Sequence, residues 1–109
     1  MKLKQVKYFC RNNTKSGIDS FDNSVKNVID GRVIFYMMDS QGMSFDILMD
    51  LLNNKNMGFD VETFIIAAKE SKNYRKDRLR LLFEYSSPNK EKYLDFMEKV
   101  DYLLDKIFD

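Results

Sequence analysis

Six basic residues fall within twelve consecutive positions: Lys69, Lys72, Arg75, Lys76, Arg78 and Arg80. If residues 61–85 formed one helix, Lys69, Lys72, Lys76 and Arg80 would share roughly 80° of arc, flanked by Arg75 and Arg78. Such a stripe suits phosphate contacts, because each cation that meets a phosphate releases a condensed counterion. A break near Asn73, the reading favoured here, makes two shorter helices instead, the second rich in Arg and Lys, in a helix-turn-helix outline. The competing reading is an ordinary solvated helix face, which lysine-rich compositions produce freely.

Little else in the chain can carry chemistry. It has no histidine and a single cysteine, Cys10, which excludes Ser-His-Asp, Cys-His and histidine-rich metal arrangements built from these residues alone. Asp30, Asp39 and the run Glu70-Ser71-Lys72 are the fragments that resemble a carboxylate-and-lysine nuclease site, but the Glu-x-Lys falls on a predicted helix where such a site wants a strand. The run Asp19-Ser20-Phe21-Asp22-Asn23 resembles part of a calcium loop, with Phe21 in a liganding position and no closing glutamate. Gly17, Gly31, Gly42 and Gly58 are isolated and make no phosphate-binding fingerprint. Tyr8 and Phe9, set among Lys4, Lys7 and Arg11, could stack single-stranded bases, yet neighbours on a strand face opposite ways, so one at most is available. Met37, Met38, Met43, Met49 and Met57 supply either an adaptable binding surface or core. The expectation is a protein that is not an enzyme and holds neither cofactor nor metal.

These residues must be positioned by one modest core: 109 residues at 44% hydrophobic content fit a single domain over 1–109. A charged fraction of 32% with net charge +1 argues against a wholesale polyanion binder and against an acidic DNA mimic. The charge is banded: residues 1–15 carry five bases and no acid, 16–62 eight acids against three bases, 63–80 six bases against two acids, and 81–109 seven acids against four bases. A lone cysteine fits a reducing compartment, no signal-peptide core follows Lys2 and Lys4, and no apolar run approaches the ~20 residues of a membrane span. A cytoplasmic location follows. The bias toward Lys, Asn and Ile suits an AT-rich genome, including that of a phage or mobile element.

Leu3–Cys10 reads as a strand and Arg11–Ser24 as a loop. Asp30-Gly31 reads as the type I′ turn of a hairpin between Val25–Ile29 and Arg32–Met38, with Val28 facing Val33 and Val25 facing Tyr36. Gly42 and Gly58 read as helix punctuation. Ser44 is placed to cap a helix over Phe45–Asn54 with Phe45, Leu48, Leu51 and Leu52 on one face, and Asp60 to cap the next, whose Val61, Phe64, Ile65 and Ala68 form one stripe. Leu79, Leu82 and Phe83 repeat the pattern in Arg75–Tyr85. Ser86-Ser87-Pro88 marks the start of a last helix with Tyr93, Phe96, Met97, Val100, Leu103, Leu104 and Ile107 on its core face. The predicted fold is α+β, a small N-terminal antiparallel three-stranded sheet packed against a C-terminal set of three to four helices. Its expected role is that of a small interaction protein, a regulator or inhibitor that docks on a protein partner. A nucleic-acid-binding regulator using residues 69–80 is the alternative, and homo-oligomerisation is open to the same surfaces.

Overall fold

The computed structural model describes residues 9–10, 19–20, 27–85 and 90–108, with side chains for 27–84 and 96–108. The elements run β1 (Phe9–Cys10), β2 (Asp19–Ser20), β3 (Asn27–Ile29), α1 (Gly31–Asp39), α2 (Phe45–Asn54), β4 (Met57–Phe59), α3 (Val61–Ser71), α4 (Lys76–Tyr85) and α5 (Lys90–Phe108). Helix dominates. The described strands form two separate pairs, β1 with β2 antiparallel and β3 with β4 parallel, so the expected three-stranded antiparallel sheet is not formed among them. Nor do all the strands precede all the helices, because β4 lies between α2 and α3.

Asp30-Gly31 starts a helix where a hairpin turn is expected. Asp30 accepts a hydrogen bond from the Arg32 N–H at 2.9 Å and so caps α1 instead of opening a hairpin. Gly31, Ile34, Phe35 and Met38 then repeat the i, i+3, i+4, i+7 spacing of Val61, Phe64, Ile65 and Ala68. The run from Val33 to Met38 is apolar throughout, so it lacks the alternation that a half-buried strand needs. Gly31 serves a contact here, not a turn. A Cβ at this position would overlap the Asp60 carbonyl oxygen and the Phe64 nitrogen. Its own N–H donates to Thr63 Oγ1 at 2.7 Å, and that hydroxyl donates to the Asp60 carbonyl at 3.1 Å.

The parallel ladder pairs Asn27 with Met57, Val28 with Gly58 and Ile29 with Phe59, and the Asp60 N–H extends it to the Ile29 carbonyl at 2.9 Å. Gly58 is thus a buried strand residue and not helix punctuation. Each strand leads through an aspartate cap into a helix, β3 through Asp30 into α1 and β4 through Asp60 into α3, and these two helices pack on each other. Asp60, itself buried, accepts from the Glu62 N–H at 3.0 Å and the Thr63 N–H at 3.5 Å.

Ser44 caps α2 by accepting from the Ile47 N–H at 3.2 Å, and Gly42 in the connection before it takes a φ of 72°, where glycine carries no steric cost. Asn56, with a φ of 53°, follows the end of α2, and Lys72, with a φ of 63°, ends α3. The core is a network of phenylalanine rings centred on Phe64, whose ring centre lies 5.7 Å from Phe35, 5.8 Å from Phe45, 5.6 Å from Phe59 and 5.6 Å from Phe83. Helix α5 closes it with Phe96, Met97, Val100, Leu103 and Leu104, all buried, while Ile107 is half-buried. The side chain of Tyr93, the segment Ser86–Pro88, Val25, Tyr8, Leu3 to Lys7 and most of Arg11–Ser24 lie outside the described residues.

Candidate functional site

The basic segment does not form one helical stripe. Helix α3 ends at Ser71, Lys72 takes a left-handed conformation, and α4 starts at Lys76, so the break falls where the sequence reading favoured it. The six candidates then divide by their surroundings. Lys76 forms an ion pair with Asp105 on α5. Arg80 holds Asp101 with two donors, Nε at 2.8 Å and Nη2 at 3.4 Å, and its Nη1 donates to Glu84 at 2.7 Å. The hydrogen bond to Asp101, with that carboxylate's charge, holds the Arg80 guanidinium above its ordinary pKa. Lys69 donates from Nζ to the carbonyl of Ile107 near the end of α5. A reverse contact, Lys106 to Glu62 at 2.9 Å, joins α5 back to α3.

Asp101 and Asp105 are four residues apart on α5, as Arg80 and Lys76 are on α4, and the pairs run in opposite chain directions. Two of the sequence's charge bands therefore meet along the partly exposed rim between α4 and α5. The matching i, i+4 spacing was visible in the sequence, but nothing local says that the two helices lie side by side.

The other three candidates stand at the α3–α4 corner. Lys72, Arg75 and Arg78 are exposed. Arg78 places its guanidinium carbon 4.9 Å from the centre of the Tyr74 ring, and Tyr74 packs edge-on to Phe35 at 5.5 Å. Arg75 contributes its backbone carbonyl to the first turn of α4, accepting from the Leu79 N–H at 3.0 Å. Tyr74 is a member of this corner that the sequence reading did not single out.

A second surface was also missed. Val33 (49% exposed) and Tyr36 (55%) lie on α1, and Ile47 (52%) and Leu51 (40%) on α2, on the sides of those helices turned away from the core. In the expected hairpin Val33 and Tyr36 would be paired strand residues; on α1 they face outward, and Leu51, expected on the face of Phe45, Leu48 and Leu52, stands exposed while those three are buried. Asp39 and Asp46 are exposed on the same two helices, and α2 carries no basic residue.

Among the described residues no group of three His, Cys, Asp or Glu side chains is placed to hold a metal ion. Asp30 caps α1, Asp39 ends it, and Glu70 belongs to α3, so the nuclease-like fragments are scattered.

No family model and no solved structure matches the chain. It is similar to the alanine–tRNA ligase of Francisella tularensis subsp. mediasiatica (strain FSC147), 27% identical over 89 residues. That match takes in 78% of this chain and 10% of the ligase. The chain therefore spans about a tenth of the length of the relative it matches. No helix among the described residues is long and apolar enough to cross a membrane.

Proposed function

We propose that the chain is a non-enzymatic docking module, a small regulator or inhibitor that acts by binding another protein in the cytoplasm. The observation that supports it is the outward exposure of Val33, Tyr36, Ile47 and Leu51 on α1 and α2. Large apolar side chains turned to water on consecutive helices are the material of an interface centre, with a polar rim around them. Exposed charge on these helices is mixed, Arg32 and Asp39 on α1 and Asp46 on α2, so the partner that fits presents an apolar centre with a polar edge of both signs.

The test is a pull-down from lysate of the source organism, with and without nuclease, beside the double variant Tyr36→Asp and Ile47→Asp. Both positions are outside the core, so the variant should keep its melting temperature. The reading requires a protein that is retained after nuclease and lost with the variant. Retention of every captured protein by the variant would sink it.

Nucleic-acid contact is the second reading, and one observation favours it: half of the basic segment, Lys72, Arg75 and Arg78, is left over after α5 has taken its share. The likeness to a ligase named for tRNA points the same way.

A further inference from the structure

The bases that the sequence groups together do two different jobs. Lys69, Lys76 and Arg80 hold α5 against α3 and α4. Lys72, Arg75 and Arg78 fall within seven consecutive positions around a single corner, are all exposed, and have no acidic side-chain partner among the described residues. Two acids lie close in sequence: Glu70, two positions before Lys72, is exposed near the end of α3, and Asp77 turns its carboxylate onto the Arg78 backbone N–H at 3.0 Å.

The corner is also shaped. Tyr74 is fixed edge-on against Phe35, which is buried in the core, and the Arg78 guanidinium lies over the Tyr74 ring. Stacking one face of a guanidinium leaves its in-plane N–H donors free for a planar or tetrahedral oxyanion. Lys72 has a φ of 63°, a conformation that favours glycine, so the fold itself does not ask for a lysine there. Arg75 sits immediately before the first turn of α4, whose N-terminal end adds positive potential.

We propose that the α3–α4 corner, through Lys72, Arg75 and Arg78, binds the phosphodiester backbone of a nucleic acid. Arg78 lies over one face of the Tyr74 ring, and the three exposed side chains of the corner are all cations, so the contacts proposed are to phosphates, which carry no base sequence. This site uses none of the exposed apolar residues of α1 and α2 and rests on the nucleic-acid reading alone.

The experiment is fluorescence anisotropy of the full chain with a short labelled RNA duplex and, in a parallel arm, a DNA duplex of the same sequence, between roughly 50 and 200 mM salt. Two variants of equal charge change are compared, Lys72→Gln with Arg75→Gln and Arg78→Gln, and Lys69→Gln with Lys76→Gln and Arg80→Gln. The corner variant should lose about tenfold or more in affinity at ~50 mM salt, and its slope of log K against log salt should shrink by about 2–3. The second variant should keep the slope while its melting temperature falls. Loss in the corner variant with either duplex sustains the site, and the duplex bound more tightly names its source. Binding that both variants weaken equally, or that the corner variant leaves intact, overturns the corner while nucleic-acid binding stands. A wild-type chain that binds neither duplex overturns both. Should the corner variant melt early, Arg75→Glu replaces it, since that side chain forms no ion pair among the described residues.

Discussion

Helices α1 and α3 come together differently from α4 and α5. The first pair approaches through shape: Gly31 lets the two helix starts meet, the Thr63 hydroxyl bridges them, and Phe35 and Phe64 cross edge to face. The second pair buries Leu79 and Phe83 against the apolar face of α5 and then pins its register with ions, Lys76 to Asp105 and Arg80 to Asp101. A backbone contact tolerates no added atom. An ion pair at the rim tolerates substitution but sets how two helices slide along each other. The two interfaces should therefore fail in different ways.

The ring they share should give the largest loss. Phe64→Ala removes the ring that touches Phe35, Phe45, Phe59 and Phe83, and should cost about 3–5 kcal/mol by denaturant unfolding. A cost under ~1 kcal/mol would mean that the two halves do not share a core. Next comes Gly31→Ala, expected to cost about 3 kcal/mol, because the added methyl meets backbone atoms of Asp60 and Phe64 that cannot turn aside. A hairpin turn at this site would accept Gly31→Asn, whereas the close helix contact refuses both, so the Asn variant decides between them by its melting temperature.

Arg80→Gln should cost at most ~1 kcal/mol, since the pair with Asp101 is roughly half exposed and screened by water, and the loss should shrink further in high salt. The raised pKa of Arg80 means that its contribution is complete below the unfolded value and leaves only as pH rises through the folded one. Moderately alkaline buffers should therefore leave this contact in place. Smallest, and opposite in sign, is Lys72→Gly: relieving a left-handed lysine should stabilise the chain by up to ~1 kcal/mol while weakening any phosphate contact at the corner. A destabilised glycine variant would show that the Lys72 side chain supports the fold.

What could be read from the residues was whatever depends on near neighbours. Ser44 and Asp60 were legible as caps, the break before α4 as a break, and the α5 stripe from Phe96 to Leu104 as core. Asp30-Gly31 misled because one dipeptide suits two structures: Asp accepts from a turn and from a helix start alike, and Gly serves a positive φ and a tight contact alike. The pairing of β3 with β4 had no local sign at all, since parallel strands of three residues share no turn. The basic segment was legible as six residues but not as two groups of three. That division depends on Asp101, Asp105 and the end of α5, more than twenty positions away.

The parallel ladder also has a consequence for how the chain reaches this state. Asn27 meets Met57 across a separation of 30 positions that contains all of α1 and α2, so the two strands cannot zip together from a turn as a hairpin does. Closing that loop costs entropy before any strand hydrogen bond repays it, and the helices between must first form and dock. Pairing of Ile29 with Phe59 is expected late in folding, so its amides should gain protection from solvent exchange after those of α2. Gly31→Ala leaves α1 free to form but blocks its approach to α3, so it should delay the protection of Met57–Phe59 further.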